Sequence, residues 1–271
     1  LIVARLKYPQ PKNPSLNYYN KINRRAFHIK NFPNKRRRNK VMAFEVSEEA
    51  KSLKGQFLDP SSLKEVLHIL TRGEQESIAR QWISEGIPYF CQDSPMIYEE
   101  IRSWLASKLD VEPKSIIVIG SAKMGFSLSG KNFGRLFDEK RSDLDLSIIS
   151  EDFFNRYKDE FNSWVSDYEK GIVKPRNSIE KGYWDENKRI IPKYQLENGF
   201  IDSNKVPTKS DYYPVASKTI DSLYQLRVQI NETDSIYNIT KSTLRIYRNW
   251  SSFFKQRRRN LNYLGRTHNK K

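Results

Sequence analysis

The residues with the clearest chemical potential lie within residues 116–149. An apolar run ends at Gly120 and Ser121, and Asp143 and Asp145 follow about twenty residues later, beside a second apolar run. Alternate residues of a strand share one face, so both carboxylates would lie on the face opposite the leucines. Like charges this close repel unless a cation lies between them, and Mg²⁺ prefers carboxylate oxygens. The pattern therefore indicates a divalent metal site.

Strands and helices must position these residues, and apolar spacing predicts both kinds of element. The two β-branched runs of 116–149 predict strands, and residues 236–248 fit a strand or a helix about equally. Helices are predicted in most of 46–109 and in 151–168, 219–230 and 250–264. Short strands are predicted in 189–192 and 199–202. This order predicts an α/β (α+β) fold, a mixed sheet flanked by helices with a helical N-terminal extension.

The order of strand, Gly120-Ser121 turn and Asp143-Leu144-Asp145 on the next strand resembles the DNA polymerase beta-like nucleotidyltransferase superfamily. The resemblance extends at most over residues 94–168 and implies a nucleotidyltransferase-type sheet. It implies that Gly120 and Ser121 bind the triphosphate of an NTP such as ATP. It also implies that Asp143 and Asp145 bind Mg²⁺, with two ions in the site. The segment around residues 199–207 resembles cyclic-oligonucleotide synthases of this superfamily, and roles in phage defence are common among its small members.

Family members usually take a third metal-binding carboxylate from a later strand. Here Asp202, which follows Gly199-Phe200-Ile201, is the first choice for this catalytic and metal-binding role, and Asp185 is the second. An ordinary turn residue is the alternative for both. Without a third acid, catalysis would be in doubt while nucleotide binding would survive.

The spacing between the turn and the aspartates is longer than in many family members. Residues 126–140 look like an insertion with Lys131 and Arg135 near its centre. Two interpretations stay open, a loop over the substrate and a longer connection.

The net charge of +16 suggests a nucleic-acid partner, but it belongs to the two ends of the chain. Residues 1–41 carry +12 and residues 252–271 carry +7, whereas residues 42–251 carry −3. The C-terminal end interleaves aromatic and basic residues, as single-strand binders do, but a helix packed on the body with a solvated basic face is favoured. Contact with a polyanion through the ends would be weak.

The first methionine is Met42, and residues 1–41 differ in composition from the rest. We interpret them as read-through upstream of the true start, rather than as a disordered basic arm or a transit peptide. Residues 42–251 would form the nucleotidyltransferase-like domain, with a helical extension in 42–93 and a core in 94–251. Residues 252–271 would be a basic tail or helix.

Other chemistries find little support. No His/Cys metal spacing, Walker-type loop or dinucleotide-binding glycine motif occurs in the sequence. The single Cys91 and the lack of an apolar run near ~20 residues predict a cytoplasmic protein without a membrane span.

The resulting hypothesis is an Mg²⁺-dependent nucleotidyltransferase that moves an NMP from an NTP to a hydroxyl of a nucleotide, an RNA or a protein. The family suggests a role in prokaryotic antiviral defence or in a toxin–antitoxin pair. The alternatives are a catalytically degenerate protein that binds a nucleotide or a partner, and a basic nucleic-acid-binding protein.

Overall fold

The computed structural model describes residues 44–138, 140, 142–208, 212–233 and 237–268. Val46–Lys271 form one compact unit, and the predicted arm of residues 1–41 lies outside the described residues. None of the helices in the described part of the chain has the length and apolar character that a membrane span requires.

A mixed sheet holds the centre of the unit, as predicted. Its strands are β1 (Ile116–Ile119), β2 (Leu144–Ile149), β3 (Phe200–Asp202) and β4 (Ser242–Tyr247), in the order β1-β2-β4-β3. β2 pairs with β1 in antiparallel and with β4 in parallel orientation, and β3 pairs with β4 in antiparallel orientation. The last strand to be made therefore lies inside the sheet, next to β2.

Helices cover both faces of the sheet, which confirms the predicted α/β class. They are α1 (Glu48–Ser52), α2 (Pro60–Val66), α3 (Arg72–Ile78), α4 (Pro95–Leu109), α5 (Ser121–Met124), α6 (Glu151–Glu169), α7 (Ser178–Tyr194), α8 (Pro214–Thr233) and α9 (Trp250–His268). A π-helical segment, Ala79–Ser84, continues α3.

Successive side chains of β2 point to opposite faces of the sheet, and each face packs against its own apolar cluster. Leu144, Leu146 and Ile148 are buried on one face, in a cluster with residues of α4, α6, α7 and α8. The opposite face carries Asp145 and Ile149, and its apolar cluster includes residues of α2, α3 and α9. The carboxylate face of β2 is thus the face covered by the N-terminal helices and by α9.

Local sequence chemistry explains several helix starts. The Asp59 side chain accepts a hydrogen bond from the backbone N–H of Ser62, directly before Pro60. Thr71 and Glu74 form a reciprocal capping box at the start of α3. Both caps fix helices that cover the carboxylate face of the sheet.

The structure corrects one sequence prediction and decides one open choice. The predicted strand at 189–192 is wrong, because these residues lie in α7, which Asn177 caps through a 2.9 Å bond from Glu180 N. Pro192 lies inside the last turn of α7, which therefore lacks one backbone hydrogen bond there. The open choice for residues 236–248 is decided for a strand, β4.

Candidate functional site

A glycine turn brings β1 directly against the carboxylate of the next strand. Gly120 has φ +70° and ψ −151°, a backbone conformation that is essentially restricted to glycine. A Cβ atom on Gly120 would lie 2.7 Å from Asp145 Oδ2. Glycine is therefore required here both by the backbone and by the space that the carboxylate occupies.

A buried lysine anchors the short helix that follows this turn. Lys123 in α5 donates hydrogen bonds to the backbone carbonyls of Glu85 and Gly86, the latter at 2.9 Å. Burial lowers the pKa of the Lys123 ammonium to about 8, and the charge of Glu85 opposes this shift in part. These bonds tie the turn to the end of the π-helical segment and fix the position of Ser121.

Asp145 is held between its neighbouring strands. It lies opposite Ile119 of β1 and opposite Thr243 of β4. The Thr243 hydroxyl donates a 2.5 Å hydrogen bond to Asp145 Oδ1. Asp143, just before β2, has its Oδ2 atom 3.2 Å from the Lys241 ammonium. Both carboxylates therefore have fixed partners on β4 or directly before it.

The electrostatics of Asp143 and Asp145 fit a site that binds a cation. Burial raises the pKa of the Asp145 carboxyl above its usual range, and the nearby charge of Asp143 raises that pKa further. The Thr243 hydroxyl, Arg257 and Lys241 act in the opposite direction. A divalent cation would favour the ionised form of Asp145 more strongly than these groups do.

The turn and both aspartates line one open cavity of about 520 Å³. This volume lies in the range of small-molecule sites. Its walls are formed by the turn, the aspartates, the insertion and α9, through Gly120, Ser121, Ser127, Leu128, Ser129, Gly130, Asn132, Arg135, Ser142, Asp143, Asp145, Arg257, Asn260, Tyr263 and Leu264. The four residues that the resemblance placed at the nucleotide thus meet in one cavity.

The insertion forms the wall that faces the turn. Its backbone closes on itself, because Ser127 N bonds to Arg135 O at 2.8 Å and Gly134 N bonds to Ser127 O at 3.0 Å. Phe126 and Phe133 pack edge to face with ring centroids 6.0 Å apart. Of the two open interpretations, a loop at the substrate cavity agrees with this geometry.

The C-terminal helix forms another part of the cavity wall, next to the insertion. Phe253 and Leu261 of α9 are buried in the core, as the packed-helix interpretation predicts. Arg258 pairs with Glu76 at 3.2 Å, and Arg259 donates to Asn198 Oδ1 at 2.9 Å. Arg257 instead lines the cavity. Two of the three consecutive arginines are therefore bonded to protein side chains away from the cavity.

Sequence reasoning missed that α9 belongs to the site. Arg257, Asn260 and Tyr263 recur at helical spacing along the cavity wall. The local signal was present as basic and aromatic residues on one helix. Its target was not predictable, because β4 brings α9 to the cavity through pairing with a strand 98 residues earlier in the chain.

Asp202 is not among the residues that line the cavity. Both of its carboxylate oxygens accept hydrogen bonds from Arg245, at 2.6 and 3.2 Å, and Gln195 Nε2 adds a bond of 2.9 Å. The Gln195 side-chain oxygen Oε1 in turn accepts from the Asp202 backbone N–H at 2.9 Å. Asp202 thus has a complete set of structural partners on β3 and β4.

Asp185, the second choice, also lies away from the cavity lining. It is on α7, where it accepts from Lys181 at 2.7 Å and from the Tyr168 hydroxyl at 2.8 Å. Hydrogen bonds from Lys181 and Tyr168 lower the pKa of the Asp185 carboxyl. The structure therefore brings neither candidate third acid to Asp143 and Asp145.

Within the described residues, no group of three or more His, Cys, Asp or Glu side chains is placed to hold a metal ion. The neighbouring strand presents Thr243 opposite Asp145 and Arg245 opposite Ser147. A pair of carboxylates still fits Mg²⁺, because this ion is commonly held by one or two carboxylates together with substrate phosphates and water. The donor set fits a metal that arrives with a phosphate ligand.

Comparison with protein-family models, with curated proteins and with solved structures finds no match for this chain. Functional inference therefore depends on the geometry of the cavity and on the motif that forms it.

Proposed function

We propose that the cavity binds a nucleoside triphosphate together with Mg²⁺, and that the protein is a nucleotidyltransferase. The observation that supports this most directly is the contact between the turn and the carboxylate. Gly120 leaves no room for a side chain beside Asp145, so the backbone that would meet a phosphate and the carboxylate that would meet a metal lie side by side.

The residues of the site have separate roles in this proposal. The Ser121 hydroxyl and the backbone N–H groups of the turn bind phosphate oxygens. Asp143 and Asp145 hold Mg²⁺, which when bound neutralises developing charge and orients the phosphates for in-line displacement. The insertion and α9 enclose the nucleotide and limit access of water. The transfer moves an NMP to a hydroxyl of a nucleotide, an RNA or a protein.

A specific observation favours a second candidate, a protein that binds nucleotide without transferring it. Thr243 and Arg245 occupy the positions on β4 from which a third acid could reach the pair. Neither residue can take a proton from an acceptor hydroxyl at neutral pH. In this candidate function, nucleotide binding regulates a partner protein.

The third hypothesis, nucleic-acid binding through the basic ends, gains no comparable support from α9. Arg258 and Arg259 bond to protein side chains, and residues 1–41 lie outside the described part of the chain. The single cysteine supports a cytoplasmic location for the proposed enzyme, and the resemblance suggests a role in prokaryotic antiviral defence or in a toxin–antitoxin pair.

Binding and transfer assays separate the two leading candidates. We would measure binding of each of the four NTPs with and without Mg²⁺, and follow labelled NMP into nucleotide, RNA and protein acceptors. Asp145→Asn should abolish Mg²⁺-dependent binding. Asp159→Asn is the matched control, because Asp159 is exposed on α6, on the other face of the sheet.

The outcomes are distinct. Binding with transfer supports the enzyme, and binding without transfer to any of the three acceptor classes supports the regulatory protein. If the wild type binds no NTP in the presence of Mg²⁺, both candidates are wrong.

A further inference from the structure

Arg257 differs from the arginines that follow it on α9, because it lies in the wall of the cavity. Its Nη2 atom donates a 2.6 Å hydrogen bond to the Tyr247 hydroxyl. The guanidinium carbon lies 5.8 Å from the centre of the Tyr247 ring and 5.2 Å from that of the Phe253 ring. These contacts hold the guanidinium against two buried rings, which reduces the conformational freedom that a ligand would have to remove.

One donor of this arginine lacks a partner. Arg257 Nε is buried and makes no hydrogen bond to any described residue. A buried donor without an acceptor is costly, and such groups commonly mark a site for a ligand or an ion. A guanidinium can donate to two oxygens of one phosphate, and Arg257 lines the cavity in which such a ligand would lie.

The charges around Arg257 indicate what this ligand contains. Asp145 and Arg135 of the insertion line the same cavity. Any anionic ligand would be repelled by Asp143 and Asp145 unless a cation lay between them. A phosphate chain can bridge the two regions, because it can share a metal with the aspartates and still offer oxygens to an arginine.

We propose that Arg257 is a phosphate-binding residue of this site and holds a phosphate of the nucleotide through its guanidinium group. The inference rests on the proposed nucleotide site and adds α9 to its binding residues. The Tyr247 hydroxyl is then a positioning group, because it holds the guanidinium without contacting the ligand.

The test compares Arg257→Lys and Arg257→Met with the wild type by calorimetric titration with ATP and with inorganic tripolyphosphate, each with Mg²⁺. Arg257→Lys keeps the charge but loses the bidentate edge, so we expect affinity for both probes to fall by about tenfold to a hundredfold. Arg259→Lys is the matched control on the same helix, since Arg259 bonds to Asn198 away from the cavity, and its affinity should stay within about twofold of the wild type.

A second variant keeps the proposal testable if the Arg257 variants fail to fold. Tyr247→Phe keeps the ring and removes the hydroxyl, which accepts from Arg257 and also interacts with Arg245. A several-fold loss of affinity at a melting temperature close to that of the wild type would support the positioning role. Binding of Mn²⁺ alone should be retained in all these variants, because Arg257 does not contact the metal.

The proposals can fail separately. If Arg257→Lys, Arg257→Met and Tyr247→Phe bind both probes as the wild type does, the assignment of Arg257 is wrong while the nucleotide site stands. If the wild type binds tripolyphosphate but no NTP, the nucleotide function is wrong, and the same variants judge Arg257 on tripolyphosphate. If the wild type binds neither probe, both proposals are wrong.

Discussion

Neutralising the carboxylates of Asp145 and Asp202 should change the stability of the protein in opposite directions. The two Asp202 oxygens accept hydrogen bonds from Arg245 and Gln195. In Asp202→Asn an NH₂ group replaces one of these oxygens, so this hydrogen-bond donor would point at the donors of Arg245 or Gln195. The pair is partly exposed, with 25% of the Asp202 side chain accessible, so the cost lies below that of a fully buried ion pair. We expect a loss of about 2 kcal/mol in the free energy of unfolding.

For a unit of this size, that loss lowers Tm by about 4–8 °C. Asp145→Asn should instead raise Tm in metal-free buffer, because it removes a buried charge whose pKa is raised by burial and by Asp143. The assay is thermal and urea unfolding of both variants at pH 7, with Asp159→Asn as the reference for an exposed carboxylate. Mg²⁺-dependent NTP binding is measured on the same samples.

A single pattern would refute this reasoning. If Asp202→Asn unfolds like the wild type but loses NTP binding, while Asp145→Asn keeps NTP binding, then Asp202 is the functional carboxylate and its pairing with Arg245 is incidental.

Three further predictions concern the surroundings of the site. Gly120→Ala should cost about 1–3 kcal/mol of stability through backbone strain, and should abolish NTP binding by displacing Asp145. The control Gly182→Ala in α7 should be neutral or stabilising in the same unfolding and titration assays. Equal effects of the two substitutions would contradict the role of the turn. Lys241→Met should raise the affinity for Mn²⁺ alone by severalfold, because the cation paired with Asp143 at 3.2 Å no longer competes, and an unchanged affinity in a metal titration would contradict this. The contribution of Lys123 to stability should rise with pH between about 8 and 10.5, because the unfolded Lys123 keeps a proton that the folded one loses, whereas the buried Cys91 thiol acts in the opposite direction above about pH 9. The gain should be at most about 3 kcal/mol, and should be absent from the pH profile of Lys123→Met in urea unfolding.

The part of the site that lies within one stretch of chain is visible in the sequence. Gly120-Ser121 and the alternation of Asp143 and Asp145 with leucines predict two strands, their facing sides and the turn, because these features depend on neighbours in sequence. The capping residues of the helices are local in the same way. Asn177 and Glu180 carried such a capping pattern for α7, although a short strand was predicted at residues 189–192.

The remainder depends on pairing between distant segments. Asp202 looked like a metal ligand because its local pattern, apolar residues followed by an acid, does not reveal its partner. That partner, Arg245, comes 43 residues later and faces Asp202 only because β4 pairs with β3. Such long-range register is set by the packing of the whole sheet and is not encoded in any single window of sequence.

The position of β4 between β2 and β3 also bears on how the protein is made. During synthesis, β2 emerges with one edge unpaired, and its parallel partner follows almost a hundred residues later. Closing so long a loop is slow, and an unpaired apolar strand is prone to associate with other chains in the interval. Because β4 also brings α9 to the cavity, the nascent chain should acquire its ligand site in the same late step that completes the sheet.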